Sequence, residues 1–230
     1  MTFLFTPHST SAIPLQGSDH VFPVHRIYCV GQNYSDHVKE MGGDPRENPP
    51  VFFSKPSDAV VIDNKPVTYP PATSNLHYEV ELVVALASGG SNISVENALA
   101  HVLGYAVGID FTRRDLQAEA KKQGRPWDAA KGFDQSAPTS AIRLVNGGNH
   151  PLEGRISLSV NGETRQDAKL SDMIWSVPEI IRELSLYFEL KAGDLIFTGT
   201  PAGVSAVVAG DQISAEIEGV GEISFELVSN

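Results

Sequence analysis

The stretch NLHYEVELVVAL, from Asn75 to Leu86, narrows the possible folds more than any other part of the chain. Its aliphatic and β-branched run is the strongest strand signal present, and it reads as a buried strand. Inside it sit two glutamates two residues apart. Strand side chains alternate between faces, so His77, Glu79 and Glu81 share one side while Tyr78, Val80 and Leu82 take the other. Neighbouring carboxylates repel, and burial raises their pKa values unless a cation lies between them. A hard divalent cation with oxygen ligands, Mg²⁺ or Mn²⁺, resolves that conflict. A solvated strand face resolves it as well, because alternating glutamates are ordinary there. The spacing leaves both readings open.

A third acid bears on the choice. Asp110 closes the apolar run GYAVGID just before FTRRD, at a strand end, where sites tend to be built. Three carboxylates make a metal site with positions left for water and substrate. From local sequence, Asp110 serves equally as the N-cap of the following helical segment.

The rest of the chain reads as short strands with few helices. RIYCVGQNY is a strand leading into a short helix, YSDHVKEM, which GGDPRENPP ends. VFFSKPSDAVV is a strand interrupted by a turn. SVENALAHVLGYAVGID is a capped helix followed by a strand, and TRRDLQAEAKKQG is a helix with a glycine stop. Asn161-Gly162 marks a hairpin, and SVPEIIRELSLYF is a helix with proline near its start. These signals predict an α+β fold, mainly β, mixed or antiparallel. Residues 1–22, rich in Ser, Thr and Pro, are expected to form an extended arm over the body or a neighbouring subunit; residues 23–230 form the domain.

Composition removes whole classes of function. The 230 residues carry 41% hydrophobic content, enough for a substantial core, and a formal net charge of −11. No basic cluster offers a footprint for nucleic acid. The N-terminus lacks a basic start, and no stretch approaches the ~20 apolar residues of a membrane span, so no membrane partner is expected. Cys29 is the only cysteine, which points to a reducing, cytoplasmic setting, and its apolar strand makes it inert packing. TGTPAGV has glycines without the lysine and hydroxyl of a nucleotide P-loop.

Six blocks in order, YCVGQNYSDHVKEM, FFSKPSDAV, NLHYEVELVVAL, GYAVGIDFTRRDLQ, GRPWDAAKGFDQSAP and GDLIFTGTPAGV, resemble the fumarylacetoacetate hydrolase family. The short bacterial fumarylpyruvate hydrolases and acylpyruvases are the nearest match, from about Arg26 to the C-terminus. The resemblance implies a mixed β-roll, usually homodimeric. It implies Glu79, Glu81 and Asp110 as ligands of one Mg²⁺ or Mn²⁺ per subunit. It makes His37 the water-activating histidine, Glu40 its carboxylate partner, and Lys131 a lysine near the metal that binds or polarises substrate. Lys55, Arg114, Gln117 and Thr200 match polar residues around the pocket. Many relatives carry an arginine where this chain has Gln32, which bears on the charge of the preferred substrate.

The implied activity is metal-dependent hydrolysis of a carbon–carbon bond in a 2,4-diketo acid. Fumarylpyruvate, cleaved to fumarate and pyruvate in gentisate-type aromatic breakdown, leads the substrates. The alternative on this fold is oxaloacetate decarboxylation, or a 2-oxo acid isomerase/decarboxylase, with no attacking water. Without their context, His37 and Glu40 read as a surface ion pair and Lys131 as a solvated lysine. His77 reads as support for the ligand glutamates. The segment from Asn33 to Pro49 is expected to act as a lid.

Overall fold

The computed structural model describes residues 3–6, 8–34 and 49–230. Beyond Tyr34, the expected helix YSDHVKEM lies outside the described residues, as do most of the expected lid and both His37 and Glu40.

The fold is mainly β with few helices, as the short alternating strands of the sequence require. A six-stranded sheet forms its centre. Its order is Arg143–Leu144, Val102–Ile109, Val80–Leu86, Leu195–Phe197, Ile27–Gly31, Val51–Lys55. Neighbours are antiparallel except Leu195–Phe197 beside Ile27–Gly31, which run parallel. A five-stranded sheet carries the hairpin Arg155–Val160 and Glu163–Lys169, turned at Asn161-Gly162 as read from the sequence.

All seven residues of Val80–Leu86 are buried, because both faces of the central sheet are covered. Leu82 and Val84 enter a core shared with Ile156, Leu158, Ile213 and Phe225 of the five-stranded sheet. Val83 and Ala85 face a second core with Ile27, Cys29, Leu195 and Phe197. That second core also takes Ile13 and Phe22, from the paired strands Ala12–Pro14 and Val21–Pro23. This part of the N-terminal segment therefore lies on the body of its own chain. Cys29 is fully buried and unpaired, and burial pushes its thiol pKa well up.

The strand expected over HYEVELVVAL is divided. Leu76–His77 pairs with Thr112–Arg113 and Ala206–Val207 in a separate three-stranded sheet, and the central strand starts only at Val80. Tertiary bonds hold the break: the Gln166 side chain accepts the Val80 N–H at 3.0 Å, and the Tyr78 hydroxyl donates to the Gly203 carbonyl at 3.0 Å. The helix Arg114–Gln123 stops at Gly124, and the helix Val177–Tyr187 has the Ser176/Glu179 capping box with Pro178 behind it.

Candidate metal centre and its pocket

Glu79 stands at the break in the strand, Glu81 just inside it, and Asp110 just past the end of the neighbouring strand. The Asp110 N–H donates to the Glu79 carbonyl at 2.8 Å, and Glu81 lies opposite Gly108 in register. The three carboxylates therefore converge at one end of a strand pair. Each offers an oxygen within 4.8 Å of the others, and all three residues are buried. Asp110 does not cap the following helix, whose N-cap is Arg113.

Cations surround two of these acids. Lys131, on the one-turn helix Asp128–Lys131, donates to Glu79 Oε2 at 2.8 Å and to Asp110 Oδ2 at 2.6 Å. Arg114 forms a short ion pair with Glu79 Oε1, which also accepts the Thr112 hydroxyl at 3.2 Å. Lys55 lies 2.8 Å from Asp110 Oδ1 and donates to the Phe111 carbonyl at 3.2 Å and to the Lys131 carbonyl. Burial pushes the Glu79 carboxyl up, but Lys131 and Arg114 outweigh it and hold the group below the usual carboxylate range. Burial likewise opposes the charge on Lys131, and Asp110 and Glu79 reverse that, raising its pKa.

Glu81 has no such partner among the described residues. It accepts one neutral bond, from the Gly199 N–H at 2.8 Å. Burial, with the charges of Asp110 and Glu79 added, pushes its pKa well up. Only glycine suits the donor position. Gly199 has φ +98°, and a Cβ there would lie 2.7 Å from Asn33 Cβ.

The donor set fits a hard divalent cation. Glu81 is buried without an ion-pair partner among the described residues, and Asp110 Oδ1 is buried without a hydrogen-bond donor, Lys55 approaching it only as an ion pair. Carboxylate oxygens engaged by Lys131 and Arg114 keep further lone pairs. The buried triad Glu79, Glu81 and Asp110 is suited to one such ion.

A cavity of about 240 Å³ opens over Glu79, Glu81 and Lys131. Arg114, Gln117 and Thr200 line it, as do Gln32, Phe53, His77, Lys121 and Trp127. Gln117 Oε1 accepts from Arg114 Nη1 at 2.6 Å, which commits the amide oxygen and leaves the NH₂ end to donate. Thr200 Oγ1 accepts from Gln166 Nε2 at 2.8 Å and keeps its own proton to donate. His77 touches Arg114 rather than the glutamates: its Nδ1 accepts from Arg114 Nε at 3.3 Å, and its Nε2 meets Asn75 Oδ1 at 2.9 Å. Burial, helped by the Arg114 charge, lowers its pKa to about 4, so at neutral pH it is the uncharged acceptor that Arg114 needs.

Lys55 is placed differently from the other expected substrate contacts. It does not line the cavity; its ammonium is buried behind Asp110, where it balances charge. Sequence reading passed over Gln166, which ties the Val80 backbone to Thr200 and the Pro201 carbonyl from an ordinary-looking hairpin strand. It also passed over Phe53, Lys121 and Trp127, although Phe53 and Trp127 stand inside blocks that carry the family resemblance.

A mainly β fold that buries three carboxylates beside a small cavity is that of a protein suited to hold one divalent cation. The profile of the fumarylacetoacetate (FAA) hydrolase C-terminal domain matches residues 26–228, and the chain belongs to that family. The fumarylpyruvate hydrolase of a Ralstonia species is 47% identical over 174 residues, 76% of this chain and 90% of that protein. The mitochondrial oxaloacetate tautomerase FAHD1 of Rattus norvegicus is 46% identical over 201 residues, 87% of this chain and 90% of its own. The crystal structure of fumarylpyruvate hydrolase from Pseudomonas aeruginosa, in complex with Mn²⁺ and pyruvate, is 48% identical, covers 100% of both chains and superposes with a TM-score of 0.97.

Proposed function

We propose that this chain hydrolyses the C3–C4 bond of a 2,4-diketo acid, with fumarylpyruvate as substrate and fumarate and pyruvate as products, in gentisate-type aromatic breakdown. The charge inventory of the site carries this reading. Glu79, Glu81 and Asp110 are matched by Lys55, Arg114 and Lys131, so a divalent ion leaves the site positive and suited to an anionic substrate. The names of the Ralstonia and Pseudomonas relatives support the same choice.

Held by Glu79, Glu81 and Asp110, a divalent cation supplies a Lewis acid for the 2-keto acid end of the substrate. Lys131, fixed between two carboxylates, presents positive charge beside that end and stabilises oxyanion character as it develops. The Gln117 amide and the Thr200 hydroxyl orient the ligand as donors. His37, with Glu40 fixing its tautomer, takes the proton of the attacking water. Water adds at C4, the C3–C4 bond breaks with its electron pair passing to C3, and C3 is protonated to give pyruvate. A homodimer in the cytoplasm is the form in which this enzyme is proposed to act.

The rat relative favours a second reading, oxaloacetate tautomerisation at the same centre, which polarises a 2-keto acid without consuming water. Purified protein assayed with fumarylpyruvate, maleylpyruvate, acetylpyruvate and oxaloacetate separates the two. The proposal expects loss of diketo-acid absorbance that requires Mg²⁺ or Mn²⁺, stops with chelator and falls at least about 100-fold in His37→Ala. Intact fumarylpyruvate beside rapid oxaloacetate enol–keto exchange would decide for the second reading.

A further inference from the structure

Three cations line the cavity: Arg114, Lys121 and Lys131. Arg114 and Lys131 are committed to Glu79 and Asp110. Lys121 is exposed at the cavity and has no carboxylate partner among the described residues. Its position is nevertheless defined, since its Nζ stands 5.0 Å from the centroid of the Trp127 ring. That ring lies 5.8 Å from the Phe53 ring, and Lys131 Nζ lies 4.9 Å from the Phe53 centroid. The wall therefore runs from a cation at the metal centre, across two aromatic rings, to a second cation without a counter-ion among the described residues.

Arg114, Gln117 and Lys121 share the pocket-facing side of the helix Arg114–Gln123, as their spacing of three and four residues requires. Lys121 is seven residues beyond Arg114, about 10 Å along the axis at ~1.5 Å per residue. An extended seven-carbon diacid spans on the order of 8 Å with C–C bonds of about 1.5 Å. A four-carbon keto diacid reaches roughly half as far.

We propose that Lys121, with Trp127 and Phe53, forms the subsite for the far end of the substrate: the unsaturated chain passes the two rings, which are inclined at 56° to each other, and its terminal carboxylate pairs with the Lys121 ammonium. The inference rests on the diketo-acid reading for the identity of that substrate. It gives this chain a source of selectivity for a long diacid, independent of the arginine that many relatives carry at the position of Gln32. Trp127 contributes twice, as a flat surface for the conjugated chain and as the partner that keeps Lys121 at the cavity.

The test compares Lys121→Gln and Lys121→Arg with the wild-type protein. With Mn²⁺ present, the ratio of kcat/KM for fumarylpyruvate to that for acetylpyruvate, which has no far carboxylate, is expected to fall about 10- to 100-fold in Lys121→Gln. The loss is carried by KM, and Lys121→Arg restores most of it. An unchanged ratio overturns the proposal. A second measurement does not depend on turnover: fumarate and its monocarboxylate counterpart crotonate are titrated while tryptophan fluorescence is followed. The wild-type protein is expected to prefer fumarate and Lys121→Gln to lose the preference. A wild-type protein without that preference, or a variant that keeps it, overturns the proposal. If fumarylpyruvate is not cleaved at all, the hydrolase reading fails and the fumarate titration still decides on Lys121.

Discussion

At the scale of single residues, the two glutamates that look equivalent in NLHYEVELVVAL are not. Glu79 is gripped by Lys131 and Arg114, whereas Glu81 is buried against two like charges with one backbone N–H. Both substitutions to glutamine are expected to remove divalent-ion affinity. Their effects on the metal-free fold differ in sign. Glu79→Gln takes the only carboxylate from Arg114 among the described residues, leaves Lys131 with Asp110 alone, and costs about 3 kcal/mol. Glu81→Gln removes the uncompensated charge and leaves stability equal to or above that of the wild type. Thermal unfolding in excess chelator at pH 7.5 checks this; equal melting temperatures for the two variants would refute the assignment. The sequence made the shared face of His77, Glu79 and Glu81 legible. It carried no sign of their different partners, because Lys131 and Arg114 reach Glu79 from helices 52 and 35 residues away.

At the scale of elements, the strand pair Val80–Leu86 and Val102–Ile109 is the frame that sets Glu81 and Asp110 side by side. Gly108 makes the frame close-packed. A Cβ there would lie 2.5 Å from Val83 Cγ2 and 2.6 Å from Phe197 Cε1. Gly108→Ala is expected to cost about 1–3 kcal/mol through overpacking. In a chain of this size that lowers Tm by roughly 2–4 °C per kcal/mol. Because the displaced strand carries Asp110, metal affinity should fall too, which isothermal titration with Mn²⁺ measures. A variant that loses stability but binds Mn²⁺ as tightly as wild type would show the frame to be less rigid than argued. The turn at Asn161-Gly162, the helix stop at Gly124, the start after Ser176 and the strands after residue 150 were legible from local rules, whereas the start at Arg114 was not, because Thr112–Arg113 pairs as a strand. The break between His77 and Val80 was not, since Gln166 and Tyr78 impose it from across the molecule.

At the scale of the whole molecule, metal binding couples to stability and to pH. An ion that binds only the folded chain adds about 2.7 kcal/mol at a concentration 100 times its Kd. The direction with pH follows from Glu81. Its folded-state pKa lies above the unfolded value, so the metal-free fold holds that proton longer than the unfolded chain does. The contribution of Glu81 to metal-free stability is therefore greatest below the ordinary glutamate pKa and declines as pH rises from there toward the raised value. The ion needs the carboxylate, so its own contribution grows over the same range. The rise in Tm on adding Mn²⁺ should accordingly be larger at pH 7.5 than at pH 5.5. A shift that shrinks with pH would argue against Glu81 as the ligand that gives up a proton.

By itself, the amino-acid sequence determined the class of fold and the shared face of Glu79 and Glu81, and through its ordered blocks the family and with it Asp110 as the third acid, because strand periodicity, turn residues and ordered blocks are local properties that need no contacts to be read. Only the tertiary structure decided that Lys55 pairs with Asp110, that Arg114 orients Gln117, and that Lys121 faces the cavity without a counter-ion among the described residues. Those outcomes depend on where an ammonium or guanidinium at the end of a long side chain finds its nearest carboxylate. That distance is set by how the sheets and helices pack, and spacing along the chain does not contain it.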